Sequence, residues 1–253
     1  MSALAGRHAL VTGGGTGIGA AIAMTLAKAG ATVTICGRRL EPLQATAAGT
    51  ANIRAVAADV TSEGSVAQVY EQAEAAGSFD IVIANAGIAE SAPASKTSLE
   101  LWNRTIEVNL TGAFLTVKPA LGAMRARGWG RIVFIASTAG LKGYAYVAPY
   151  VAAKHGVIGL MRALSVETAS AGITVNAVCP GFTDTAMLSE SVERIVAATD
   201  RGGADVRAAL AANNPQGRFI RPQEVADAVL WLCASESAAI TGQAISVSGG
   251  ETW

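Results

Sequence analysis

The strongest constraint on the fold is an alternation that runs the length of the chain. Short β-rich runs stand at His8–Thr12, Thr32–Cys36, Ile53–Ala57, Asp80–Ala84, Arg131–Ala136, Thr174–Val178 and Ala244–Val247. Alanine-rich helical stretches separate many of them: Ile18–Ala29, Ser62–Ala75, Leu101–Arg127, Tyr150–Ala171 and Pro222–Ser235. Strands that alternate with helices are joined by crossovers, so the sheet is expected to be parallel with helices on both faces. Ile81-Val82-Ile83-Ala84 and Ile132-Val133-Phe134-Ile135 agree, being apolar on both faces rather than on one. With 253 residues, 51% of them hydrophobic, one large core fits better than two small ones. The expectation is a single α/β domain over 1–253, a doubly wound parallel sheet of about seven strands. No internal repeat, low-complexity tail or linker interrupts it.

The first crossover is the most specific. His8–Thr12 runs into Gly13-Gly14-Gly15-Thr16-Gly17-Ile18-Gly19 and then into a helix. Glycines there permit positive φ and close backbone approach, and the helix N-terminus offers free N–H groups to a pyrophosphate. An ordinary tight strand–helix turn would also use glycines, but the position directly after a strand favours a dinucleotide. A second signal lies on the helix Tyr150–Ala171. Tyr150 and Lys154 are four residues apart, so phenol and ammonium share one face, with Ser137 thirteen residues upstream. A nearby ammonium favours phenolate, so the Tyr150 pKa is expected to fall from its usual value of about 10. Such a phenol is a proton donor and acceptor for a carbonyl/alcohol pair.

Taken together these residues resemble the short-chain dehydrogenase/reductase family over almost the whole chain. Thr12-Gly13, Gly17 and Gly19 match its cofactor motif, and Asn85-Ala86-Gly87 its Asn-Ala-Gly motif, with Ala84 where a further asparagine is usual. Asn109, Ser137, Tyr150 and Lys154 match its catalytic tetrad, and Pro180-Gly181 the element after the sixth strand. The resemblance implies a Rossmann-type fold and a hydride-transferring enzyme. Ser137 would hold the substrate oxygen, and Tyr150 would give or take its proton. Lys154 would lower the tyrosine pKa and bond the nicotinamide ribose, and Asn109 would hold a water linking Lys154 to solvent. Gly13, Gly15, Thr16, Gly17 and Ile18 would meet the cofactor at the first turn, with Asn85, Ala86 and Gly87 beside them. Thr183 and Thr185, after Pro180-Gly181-Phe182, resemble residues that hold the nicotinamide carboxamide. Asp59-Val60 resembles the adenine contact, although Asp59 also suits a cap for the helix beginning near Ser62.

Cofactor choice turns on the end of the second strand, Cys36-Gly37-Arg38-Arg39. NAD-preferring relatives usually carry an acid near Gly37; here glycine precedes two guanidinium groups suited to a 2′-phosphate. NADP(H) is therefore favoured over NAD(H). Thr16 lacks the extra basic residue of many NADP-using relatives, and arginines at a strand end also serve as solvated charges.

Substrate choice belongs to a lid at about 186–214, which in the family closes over substrate and excludes water. Met187 and Leu188 are expected in the pocket, with Ile195 and Val196 available for its wall. Tyr144 and Tyr146 suit either the pocket or packing at the loop base. Arg194, Arg201 and Arg207 suit carrier phosphates or solvent, and Lys142 an anionic group or solvent. The pattern is most similar to 3-oxoacyl-thioester reductases acting on coenzyme A or acyl-carrier-protein substrates. Secondary-alcohol or 3-hydroxybutyrate-type dehydrogenases using NAD are the alternative, and a non-catalytic nucleotide-binding regulator is a third reading.

Nineteen basic and nineteen acidic residues cancel, which gives no electrostatic reason to expect nucleic acid or membrane-surface binding. No apolar run approaches the roughly 18 residues of a membrane span, and no signal peptide is visible. Cys36, Cys179 and Cys233 lack metal-ligand spacing and read as buried filler in a reducing compartment. A cytoplasmic location is the expectation. Family resemblance implies a homotetramer built through Leu101–Arg127, Tyr150–Ala171 and the last strand, with the terminal Trp253 seeking a neighbouring surface.

Overall fold

The computed structural model describes residues 3–73 and 77–253. Seven parallel strands form one sheet: β1 (His8–Thr12), β2 (Thr32–Gly37), β3 (Ile53–Ala57), β4 (Ile81–Ala84), β5 (Gly130–Ile135), β6 (Ile173–Pro180) and β7 (Ala244–Val247). They lie in the order β3-β2-β1-β4-β5-β6-β7. The direction of winding reverses between β1 and β4, where Leu10 pairs with Val82. Crossover helices on either side of that point leave a crevice at the carboxyl ends of the two strands, the usual ligand position in such sheets.

Strand residues alternate between two cores. Leu10, Val82, Ile132 and Phe134 pack on one face, with Val117, Met124, Val157 and Met161 from the helices. Ala9, Val11, Val33, Ile35, Ile81 and Ile83 pack on the other, with Ile22, Leu26, Val225 and Val229. Every residue of β1, β4, β5 and β6 is buried, as strands covered on both faces must be.

The helices are α1 (Gly17–Lys28), α2 (Leu40–Ala47), α3 (Glu63–Ala73), α4 (Leu99–Ile106), α5 (Gly112–Val117), α6 (Ala120–Arg127), α7 (Ala148–Thr168), α8 (Ala186–Ala198), α9 (Gly203–Ala211) and α10 (Pro222–Cys233). Ala75, expected to end the third helix, lies outside the described residues. The single helix expected over Leu101–Arg127 is instead three. A π-helical turn at Glu107–Thr111 divides α4 from α5, and Lys118-Pro119 divides α5 from α6. Proline supplies no N–H to continue the ladder, whereas the π turn accommodates the inward side chain of Asn109. No helix among the described residues is long and apolar enough to cross a membrane.

Candidate active site

A cleft of 480 Å³ opens at the reversal point. Gly13, Gly15 and Thr16 line it from the first turn, Arg38 and Arg39 from just beyond β2, Asp59 and Val60 from the loop after β3, and Ala86 and Gly87 from the loop after β4. Pro42, Leu43, Ala58, Ile88 and Val108 also line it and were not anticipated. Pro42 and Leu43 come from α2, a helix the sequence reading left out. Asn85 faces backwards: its Nδ2 donates to Thr12 O at 2.8 Å, and Thr12 Oγ1 accepts from the Asn85 and Ala86 backbone N–H groups at 3.0 and 3.1 Å. Asn85 therefore fastens the glycine turn to β4. Ile18 packs beneath the turn against the sheet rather than lining the cleft.

These residues fit a dinucleotide. A Cβ at Gly19 would stand 2.2 Å from Gly13 O, so only glycine lets α1 start this close to the turn. Thr16 occupies the N-cap of α1, yet its hydroxyl accepts none of the first-turn N–H groups, which stay available to an anion. Asp59 Oδ1 accepts from Thr61 N and Thr61 Oγ1 at 2.9 and 2.8 Å, and these bonds, ahead of the Arg38 charge, hold its carboxyl below the usual range. The capping acceptor at the start of α3 is Ser62, whose Oγ accepts from Ser65 N. Gly17 reaches the other rim, where a Cβ would meet Thr185 Cγ2 at 3.1 Å. Thr183 Oγ1 donates to Gly181 O at 2.9 Å and Thr185 Oγ1 to Thr183 O at 3.3 Å, so both threonines follow the Pro180-Gly181 exit of β6.

Tyr150 and Lys154 stand one turn apart near the start of α7, where Pro149 occupies a first-turn position that costs no hydrogen bond. Lys154 is buried, and its Nζ donates to Ile135 O at 2.8 Å, 5.5 Å from the Tyr150 ring centre. Burial lowers the Lys154 pKa to about 8. The expected fall in the Tyr150 pKa is not found. Burial raises it, opposed by a hydrogen bond from Ser137. Desolvation of the phenolate outweighs the Ser137 hydrogen bond. Ser137 begins a short helical turn, its Oγ accepting from Ala139 N at 3.1 Å. Cys179 lies behind Ser137 and Lys154; burial pushes its thiol up to about 11 and those of Cys36 and Cys233 up to about 12. All three are free thiols in the core, as expected of filler.

Asn109 is 1% exposed. Its Nδ2 donates to Ile88 O and Thr105 O, both at 2.9 Å, and its Oδ1 accepts from Ile88 N at 3.2 Å. The side chain thus ties the π turn to the loop after β4.

The lid comprises α8 and α9 with a small core of Leu188, Val192 and Val206. Leu188 is turned into that core, a correction to its expected place in the pocket wall, because it lies on the face that α8 packs against α9; Met187 is left 40% exposed. Ile195 and Val196 pack against the same core. Arg207 pairs with Asp184 at 3.1 Å, and Arg201 donates to Asp205 O. Arg194 reaches across to Ala89 O at 3.0 Å, joining the lid to the loop after β4. Tyr146 is exposed at φ +68°, whereas the Tyr144 hydroxyl contacts Thr138 and Glu251. Lys142 is not a free charge: it pairs with Glu251 at 3.0 Å. Glu251 was missed, since only the acid after Gly249-Gly250 marks it in the sequence. No group of three or more potential metal-ligating side chains occurs among the described residues.

Fold and site together define an oxidoreductase of the nicotinamide-dependent kind. The profile of the short chain dehydrogenase family matches residues 7–195, and the chain belongs to that family, whose members act on CH–OH groups with NAD(P). It is 43% identical to the cis-4-hydroxycyclohexanecarboxylate dehydrogenase of Sinomonas cyclohexanicum, covering 99% of this chain and 98% of the relative. It is 40% identical to the 3-oxoacyl-[acyl-carrier-protein] reductase FabG of Escherichia coli over 97% of each. A solved actinorhodin polyketide ketoreductase with NADPH superposes with a TM-score of 0.93 at 39% identity over 97% of each chain.

Proposed function

We propose that the protein reduces a ketone, as a 3-oxoacyl thioester of coenzyme A or acyl carrier protein, to the secondary alcohol with NADPH. The observation that carries the reading is the placement of Tyr150 one helical turn from the buried Lys154, whose Nζ lies 5.5 Å from the Tyr150 ring centre and donates to Ile135 O, with Ser137 at the head of the turn after β5. A phenol in that setting can give its proton to a carbonyl oxygen as reduction proceeds. When bound, the nicotinamide supplies hydride to the carbonyl carbon. Ser137 and Tyr150 hold the carbonyl oxygen, and Tyr150 protonates it. Two donors of the Lys154 ammonium remain for the ribose beyond the bond to Ile135. Asn109 keeps a lone pair on Oδ1 for a water that resupplies the proton. Thr183 and Thr185 hold the carboxamide, the turn through Gly13–Gly19 takes the pyrophosphate, and Asp59 and Val60 flank the adenine.

The preference for NADPH rests on Arg38 and Arg39, both exposed and both lining the cleft with Gly37. Removing a charge-assisted hydrogen bond costs about 1.5–3 kcal/mol. Arg38→Ala with Arg39→Ala is therefore expected to weaken NADPH roughly tenfold to hundredfold and NADH little. Equal weakening of both cofactors counts against the assignment. Initial rates with acetoacetyl-CoA, compared between NADPH and NADH, test the whole reading. Fast turnover with NADPH supports it; binding of NADPH without turnover moves the substrate to free ketones.

One observation favours a second reading, an NAD-dependent dehydrogenase of a secondary alcohol or hydroxy acid. Arg201 is engaged by the lid backbone and Arg207 by Asp184 just before the lid, which leaves fewer cations for a carrier phosphate. The relative acting on a hydroxycyclohexanecarboxylate supports that alternative. A cytoplasmic homotetramer completes the proposal. Three free thiols suit a reducing compartment, and Leu99, Trp102, Phe114 and Val166 leave apolar surface exposed on α4, α5 and α7.

A further inference from the structure

Glu251 sits in the turn beyond β7, and its side chain is 1% exposed. Its Oε1 accepts from the Tyr144 hydroxyl and pairs with Lys142 Nζ at 3.0 Å. Its Oε2 is buried with no hydrogen-bonding side chain or backbone group beside it among the described residues, and a Cβ at Gly181 would stand 3.0 Å from it. Burying a carboxylate is costly unless it is paired, and here a single oxygen carries both the Tyr144 and the Lys142 contacts. An acid kept under those terms is expected to serve what it holds. What it holds is the loop that separates Ser137 from Tyr150.

Two observations show that this loop needs holding. Tyr146 adopts φ +68°, a left-handed conformation that side chains other than glycine's rarely take and that costs about 1–3 kcal/mol. Such strain persists only where the surroundings over-determine it. The Tyr146 carbonyl is gripped by Ala92 N at 2.7 Å, and Tyr144 is gripped three ways. Its hydroxyl meets Glu251 and also Thr138 Oγ1 at 2.6 Å, while its ring stands edge-on to Phe182 at 6.0 Å between centres. Burial and the carboxylate together push the Tyr144 phenol up, so it remains a neutral donor to Glu251 beside the second phenol of Tyr150.

We propose that Glu251 is a positioning residue: it fastens Tyr144 and Lys142 to the turn after β7 and so fixes the separation of Ser137 and Tyr150. The proposal rests on the reading of those two residues as the pair that holds and protonates the substrate oxygen. Glu251 acts through the loop and does not itself meet substrate.

The test compares Glu251→Ala, Glu251→Gln and Tyr144→Phe in the full chain with NADPH. Glu251→Ala is expected to lower kcat at least tenfold while the Kd for NADPH, read by nucleotide fluorescence, stays within twofold. Glu251→Gln keeps an oxygen for Tyr144 and is expected to recover most of kcat. Tyr144→Phe is expected to lower kcat as well, and the double variant to lose less than the product of the two single losses, because both variants cut the Tyr144–Glu251 link. Amide hydrogen exchange over 141–147 is expected to quicken about tenfold in Glu251→Ala, and this readout needs no substrate. Unchanged exchange overturns the proposal even if the substrate assignment is wrong. Quickened exchange with no wild-type turnover on acetoacetyl-CoA supports the anchor and sinks only the thioester reading. Independent, multiplying losses in the double variant, or full kcat in Glu251→Ala, also overturn it.

Discussion

At the scale of single residues, Tyr150 and Lys154 illustrate how burial sets chemistry. Tyr150→Phe removes the proposed proton donor without changing shape, and carbonyl reduction is expected to fall roughly 10²–10⁴-fold with NADPH binding intact. Activity that survives would place the acid elsewhere. Lys154 carries a stability cost. Its pKa falls from 10.5 to about 8 in the folded chain, so between those values the unfolded chain binds the extra proton. The cost is full below pH 8 and is relieved as pH rises toward 10.5. A shift of this size corresponds to about 3 kcal/mol, against which the bond to Ile135 returns about 1. Without cofactor, Lys154→Met is therefore expected to melt higher than wild type at pH 7, with the gap narrowing by pH 10. A gap that widens with pH would contradict the direction of the shift. The four-residue spacing of this pair was legible in the sequence because a helix has a fixed period. The direction of the Tyr150 shift was not, because desolvation is set by the sheet end and β6, which are distant in the chain. Glu251 was hidden for the same reason, its partner Tyr144 lying 107 residues away.

At the scale of elements, the segment from Leu99 to Arg127 carries a break that local propensity does not announce. Glu107-Val108-Asn109-Leu110-Thr111 contains neither glycine nor proline, so the periodic pattern reads straight through it. What makes the π turn is a tertiary demand, the three hydrogen bonds between Asn109 and the segments at Ile88 and Thr105. Asn109→Ala leaves those buried groups unpaired and is expected to cost on the order of 3 kcal/mol, measured by urea denaturation. A change below 1 kcal/mol would mean that water replaces the amide. The second break, at Pro119, was visible in principle. Helix α2 escaped because it is only eight residues long and Pro42 near its start resembles a breaker rather than a first-turn residue. In the lid, Arg194 supplies the bond to Ala89. Arg194→Ala is expected to raise the KM for the ketone severalfold and leave kcat within twofold, as loss of a closing contact should.

At the scale of the whole molecule, the strand pattern was read closely: β1, β3 and β7 have the bounds that their residues implied. Double-sided burial makes such strands conspicuous, whereas surfaces between copies leave only scattered apolar side chains. Those on α4, α5 and α7 carry the assembly prediction. Light scattering at micromolar concentration is expected to give four times the 25.5 kDa of one chain, and Phe114→Glu to lower it. A monomeric wild type would remove that part of the proposal. The strand order has a consequence for the chain as it is made. Strand β1 emerges first but belongs at the centre, and one of its two edges pairs with Ile81–Ile83, some seventy residues later. At roughly 5–20 residues per second that partner leaves the ribosome about 4–15 s after β1. Through that interval the apolar edge of Ala9-Leu10-Val11 has no native neighbour on one side, and it is the nascent chain's first opportunity to pair with a stranger.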